Sequence, residues 1–294
     1  MYGNDIKIFP IFEQTPQIWA QFAEIQFAAM SDYYYLSKET PGQIADEIGG
    51  YYGRSPENFA FGAYDGAKMV GFTFGKVNDG RGAHLAGRYL MRKYQKHGIG
   101  TRLMDAAERV SALYSDTIRL INIKDRPKFY GERGYEKDGV HMVKKLEPID
   151  GSVPLFHSMH RIEQWVCDIR NSLEGKEIHF PRTPMGIAEK IATAINTERR
   201  PAYGAVFDNK VVGYLLGRNM RNVREVNNLY VHQEFRRRGH GRALMQNFME
   251  FAKFGGASKL ELHCYEDSAK VFYNKYCGLR ATDRLDHDHM SKTL

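Results

Sequence analysis

Gln95-Lys96-His97-Gly98-Ile99-Gly100-Thr101 and Arg236-Arg237-Arg238-Gly239-His240-Gly241-Arg242 are two versions of one turn, 141 positions apart (95 to 236). Each follows a stretch that reads as a strand, Arg88 to Met91 in the first copy and Asn228 to Val231 in the second. Each precedes an amphipathic run that reads as a helix, Leu103-Met104…Ala107…Val110 and Leu244-Met245…Phe248…Phe251-Ala252. Glycines let the main chain bend tightly and approach a ligand, and the bare N–H groups that open a helix attract an anion. A diphosphate is a natural occupant. Neither copy is a GxxxxGK(S/T) loop, and Leu103 and Leu244 stand where a dinucleotide-binding fold places its third glycine.

Other landmarks repeat at nearly the same offset. Val70-Gly71-Phe72 corresponds to Val212-Gly213-Tyr214, and Phe129-Tyr130 to Phe272-Tyr273. A repeated set of landmarks in constant order marks a duplicated unit. Each half reads as a helical region, a hairpin, a strand, the glycine turn, a helix, a strand, an aromatic helix and a last strand. The hairpins are Phe59–Tyr64 with Met69–Phe74 around Asp65-Gly66, and Tyr203–Phe207 with Val211–Leu216 around Asp208-Asn209-Lys210. The join falls at Pro148-Ile149-Asp150-Gly151-Ser152-Val153-Pro154, so the expected domains are residues 1–148 and 155–294.

A length of 294 residues suits two domains of ordinary size. The first twelve residues lack the pattern of a signal peptide, and no window approaches 18 uncharged apolar residues, which argues against a membrane span. Cys167, Cys264 and Cys277 are odd in number and have no CxxC spacing, which argues against disulfides and zinc and for small buried thiols in the cytoplasm. The net charge of +7 divides as +1 over residues 1–150 and +6 over 151–294, suiting a polyanionic partner, nucleic acid or a phosphorylated cofactor. The tail His287-Asp288-His289 has side chains that could attract a metal, and simple exposure is the preferred reading; no metal is expected.

The turn in its strand–helix setting, a (Q/R)-x-x-G-x-(G/A) pattern, resembles the acetyl-CoA pyrophosphate loop of the GNAT N-acetyltransferase superfamily. The second copy, Leu229-Tyr230-Val231 through Met245, is the closer match. The resemblance implies an α/β fold, with a largely antiparallel sheet flanked by helices, in two tandem acyl-CoA N-acyltransferase domains. It implies that amides of Gln95, Lys96, His97, Gly98, Ile99, Gly100 and Thr101, and of Arg236, Arg237, Arg238, Gly239, His240, Gly241 and Arg242, meet the pyrophosphate. Leu90 and Met91, or Tyr230 and Val231, would then run along the pantetheine arm. The arginine run has two other readings, a solvated turn and a nucleic-acid contact, and cofactor phosphates are preferred because the phosphate loop is adjacent.

Phe129-Tyr130…Gly134-Tyr135 and Phe272-Tyr273…Gly278-Leu279 resemble that family's FYxxxGF signature, the second with one extra residue before the glycine. The phenylalanines are expected in the core. Tyr130 and Tyr273 stand where the family commonly keeps a general acid, with plain packing as the alternative. The family's usual Asn and Ala before this Phe are Glu266 and Ala269 in the second half but Ile123 and Arg126 in the first, which favours the second domain for activity. Glu225, eleven residues before Arg236, resembles the family's base; the alternative is a solvent-facing residue pairing with Arg221 or Arg224. His84 holds the same place before Gln95. Tyr33-Tyr34-Tyr35 reads as an acceptor-pocket wall or as a core edge. The implied reaction is direct attack of a primary amine, on a small molecule or peptide, upon acetyl-CoA in a ternary complex. The rival is a non-catalytic acyl-CoA-binding sensor or scaffold. The chain would be a monomer with an internal pseudo-dimer, or a homodimer, without membrane or nucleic-acid partners.

Overall fold

The computed structural model describes residues 5–13, 15–29, 40–52, 57–77, 82–121, 127–156, 191–220, 222–264, 267–282 and 288–294. Tyr33-Tyr34-Tyr35, Cys167, Arg221, Ile123, Arg126, Glu266 and His287 lie outside these residues. The chain divides into two compact units, Met1–Pro148 and Ile149–Leu294.

The first unit holds β1 (Lys7–Pro10), α1 (Pro16–Ala29), α2 (Pro41–Tyr52), β2 (Asn58–Asp65), β3 (Lys68–Lys76), β4 (Ala83–Leu90) and α3 (Ile99–Ala112). β5 (Thr117–Ile121), α4 (Pro127–Gly131), β6 (Glu136–Asp138) and β7 (His141–Lys145) follow. Its seven-stranded sheet runs β1-β2-β3-β4-β5-β7-β6, antiparallel except where β4 meets β5. Strand alternation divides the faces. Phe72 and Phe74 point to α1, where Phe22 stacks on Phe72 with ring centroids 3.9 Å apart. On α3 the spacing of Leu103, Met104, Ala107 and Val110 makes one apolar stripe, fully buried against the sheet.

The second unit repeats this plan in β8 (Gly151–Pro154), β9 (Ala202–Phe207), β10 (Lys210–Met220), β11 (Val223–Val231), α5 (His240–Phe254), β12 (Lys259–His263), α6 (Asp267–Phe272), β13 (Arg280–Ala281) and β14 (His289–Thr293). The order is β13-β14-β12-β11-β10-β9-β8, and again only β11 and β12 are parallel. This is the α/β architecture of two tandem domains expected from the repeat.

The proline-rich join differs from expectation in one respect. Residues 151–154 are a strand, β8, pairing with β9 as β1 pairs with β2. Pro154 is compatible with it because β8 lies at the sheet edge, where no further strand needs its missing N–H. Among the described residues no helix is long and apolar enough to cross a membrane.

Candidate acyl-donor cleft and acceptor face

The central event in each sheet is a split. β4 pairs with β5 only at Ala83, His84 and Leu85, and β11 with β12 only from Val223 to Val226. Just beyond, each long strand carries one extra residue: Ala86 lies between the partners of Gly75 and Phe74, and Asn227 between those of Gly217 and Leu216. A bulge of this kind sharpens the local twist and turns the strand away from its neighbour. Gly87–Leu90 and Asn228–Val231 therefore run on beside β3 and β10 alone, with the opposite main-chain edge facing the gap.

The glycine of each Val-Gly-aromatic landmark permits this run. A methyl group at Gly71 would lie 2.9 Å from the Tyr89 carbonyl oxygen, and one at Gly213 2.6 Å from that of Tyr230. The same register shows that Leu90 is the counterpart of Val231, and Tyr89 of Tyr230. The two strand-end pairs named from sequence are thus one position out of step with each other.

At the end of the split strand the two turns have one backbone. Lys96 (φ +65°) and Gly98 (+74°) are left-handed, as are Arg237 (+64°) and Gly239 (+88°). Alternating left-handed residues before a helix turn successive N–H groups to one side, an anion-holding concavity. Gly98 and Gly239 are the N-caps of α3 and α5 and provide no side-chain cap, so the first-turn amides have no partner within their own helix. Gln95 Nε2 donates to the Leu90 carbonyl and Arg236 Nε to the Val231 carbonyl, both at 2.9 Å. These side chains clamp the turn to the strand. Beneath it, the Tyr94 hydroxyl donates to Asp65 Oδ2 at 2.6 Å, and in the second domain Phe235 packs on Phe207 instead, centroids 5.5 Å apart. Arg237 and Arg238 are exposed, whereas His240 is half-buried, its imidazole pKa lowered chiefly by burial and then by Arg238, against an opposing pull from Asp150.

The aromatic helix reverses one expectation. Phe129 and Phe272 are only half-buried, while Tyr130 and Tyr273 are 3% and 8% exposed. The reason is placement: Phe272 leans over the first turn of α5, where a methyl group at Gly241 would sit 3.4 Å from its ring. Tyr273 opens a π-helical turn, Tyr273–Cys277, closed by left-handed Gly278, with Leu279 N–H donating to the Tyr273 carbonyl. In the first domain the Tyr135 N–H reaches the Tyr130 carbonyl across one residue fewer. The extra residue in the second motif is thus absorbed as a π turn. Burial raises the Tyr273 phenol well above its usual range, helped by the thiols of Cys264 and Cys277, so it keeps its proton. Both cysteines are buried, and burial pushes the Cys277 thiol up to about 11.

On the face away from α5, Glu225 sits one pair before the last pair, at which the split begins, half-buried, its Cα opposite Arg218 on β10 and Glu261 on β12. Arg224 points to the other face and lies beside Gly255 at the C-terminal end of α5, where a cation suits the helix dipole. Glu261 is bridged to Lys259, and its Oε2 is 3.6 Å from His289 Nε2. His289 is not an exposed tail: it is 4% exposed, its Nδ1 2.9 Å from Thr282 Oγ1, because β14 is inserted between β12 and β13. The first domain carries Lys76, His84 and Arg119 at the registers of Arg218, Glu225 and Glu261. Sequence reading singled out Glu225 and His84 but not Glu261, which the register sets beside Glu225 and whose only signal is the alternation of Lys259-Leu260-Glu261-Leu262-His263. Among the described residues no group of three His, Cys, Asp or Glu side chains is placed to hold a metal.

Two copies of a sheet that opens beside a left-handed glycine turn define a tandem α/β protein. The chain belongs to the acetyltransferase (GNAT) family, whose profile matches residues 19–125 and again 162–279. Solved structures similar to it each span about one domain. PH1933 from Pyrococcus horikoshii OT3 is 19% identical, covering 49% of this chain and 99% of its own, with a TM-score of 0.43. The PaiA N-acetyltransferase from Thermoplasma acidophilum in complex with coenzyme A is 18% identical, covering 48% and 99%, with a TM-score of 0.38. The aminoglycoside 6'-N-acetyltransferase from Enterococcus faecium is 20% identical, covering 49% and 98%, with a TM-score of 0.39. Among curated proteins no sequence matches the chain.

Proposed function

We propose that the protein transfers an acetyl group from acetyl-CoA to a primary amine in a ternary complex, through its C-terminal domain. The observation that carries this reading is the split of β11 from β12 beside the turn at Gly239, with Glu225 on the last pairs before the split and Phe272, next to Tyr273, against Gly241 in the first turn of α5. The site fits the donor. The first-turn amides of α5 with the left-handed Arg237 and Gly239 suit its diphosphate, and the bare edge of Asn228–Val231 suits the amides of its pantetheine arm.

Acetyl-CoA would supply the acetyl group activated as a thioester. Glu225 Oε takes the proton that the amine must lose, since a lysine-like amine is protonated at neutral pH. A main-chain N–H at the bulge donates toward the carbonyl oxygen, and Tyr273 Oη holds a proton for the departing sulfur. The charge row separates the domains. The second-domain row holds two carboxylates, Glu225 and Glu261, beside Arg218 and the Lys259 that bridges Glu261, whereas the first domain has no carboxylate at these registers, only Lys76, His84 and Arg119. This supports catalysis in the second domain and a binding or structural role for the first.

The test is continuous detection of free coenzyme A thiol with a panel of aminoglycosides, polyamines, amino acids and peptides. Amine-dependent release supports the enzyme; acetyl-CoA binding without release from any amine supports the sensor.

Two variants probe the parts. Glu225→Gln should lower kcat about tenfold to a hundredfold with little change in KM for acetyl-CoA, because water can relay part of the proton traffic. An unchanged kcat across pH 6–9 would remove Glu225 as base. Gly239→Val meets no neighbour, but a β-branched residue is strained at φ +88°. Relaxing the turn should weaken coenzyme A binding about tenfold, the equivalent of about 1.4 kcal/mol, by calorimetry.

A further inference from the structure

Arg88 stands on β4 two residues past the bulge, opposite Thr73 and on the α3 face. Its guanidinium lies over the Phe129 ring, 4.1 Å from the centroid, and 5.6 Å from that of Tyr130. On its other side, a methyl group at Gly100 would come within 2.9 Å of Nη1. The side chain therefore bridges the space between the first turn of α3 and the aromatic helix. A ligand laid along β4 from the turn at Gly98 toward Tyr130 meets this side chain. The counterpart in the second domain is Leu229, and there the nearest neighbours of a methyl group at Gly241 are the Phe272 ring at 3.4 Å and the Val231 side chain at 3.8 Å.

We infer that Arg88 closes the N-terminal cleft to acyl-CoA, so that the chain binds one coenzyme A, in its C-terminal domain. The inference rests on the acetyl-CoA reading of the second cleft. A pantetheine arm is a flexible uncharged chain of methylenes and amides, for which Leu229 and Phe272 are suitable walls. In the first domain it would have to displace a guanidinium from an aromatic face and take that charge away from the ring it lies over. The Lys76-His84-Arg119 row on the opposite face also lacks the carboxylate that Glu225 places at the matching register of the second domain.

Calorimetric titration of the full chain with coenzyme A counts the sites. Wild type should bind one equivalent, Arg88→Leu two, and Leu229→Arg none, with thermal melts and Arg88→Ala guarding against misfolding. Two equivalents in wild type, or one or fewer in both folded Arg88 variants, would overturn the inference while leaving the second cleft as proposed. If wild type binds no coenzyme A, the acetyl-CoA reading itself fails and this inference with it. Reduced binding in Arg88→Leu would show that the arginine holds the donor's phosphates instead of closing the cleft.

Discussion

Tyr273→Phe is expected to lower kcat about 10²- to 10³-fold while KM for acetyl-CoA stays within about twofold. The substitution removes one oxygen and keeps the ring, so the packing of Tyr273 against Phe272, centroids 5.1 Å apart, survives. Burial penalises the phenolate, so the folded-state value is raised and the proton remains in place at any assay pH below about 10. The alkaline limb of the rate profile should therefore not move when Tyr273 is replaced, although the plateau falls. The measurement is steady-state thiol release from pH 6 to 9.5 with a saturating amine. A plateau equal to wild type would reduce Tyr273 to a packing residue. Tyr130→Phe, in the closed domain, should leave the same rate unaltered.

Phe248→Ala is expected to destabilise the second domain by about 3–5 kcal/mol, read as a lower urea midpoint. Phe248 is fully buried on the apolar stripe of α5, and a methyl group at Gly217 would overlap its ring at 2.2 Å. The ring thus supports the main chain where Asn227 bulges, and its loss opens a cavity beneath the split. Coenzyme A affinity should fall with stability in this variant, in contrast to Tyr273→Phe. An unfolding free energy within about 1 kcal/mol of wild type would mean that the bulge is held by the strand register alone.

The first domain solves the same packing problem differently. Ala107 occupies the helical position of Phe248, and the ring against Gly75 comes from Phe59 on β2, 2.8 Å from an added methyl group. A linear comparison of the two halves sees two unrelated substitutions, because the compensation runs between a helix and a strand far apart in the chain. Arg88 was hidden for the same reason. On the strand it reads as one more polar residue before the turn, and its meaning depends on Phe129 and Gly100, which only the folded sheet brings to it.

Local chemistry made the rest readable. Glycines at left-handed positions, alternating strands around short turns and the apolar stripes of α3 and α5 are properties of neighbouring residues, so the duplication, the fold class and the two glycine turns that open α3 and α5 were legible directly. The reversal of Phe and Tyr in the aromatic helix, the strand hidden in the proline-rich join, the burial of His289 and the placing of Glu261 beside Glu225 were not. Each is set by which face of an element meets a partner distant in sequence, and burial of that face is a tertiary free energy that no local pattern contains. The unequal charge of the two acceptor faces belongs to the same class: the residues are visible in the chain, but only the strand register sets Lys76, His84 and Arg119 in one row and Arg218, Glu225 and Glu261 in the other.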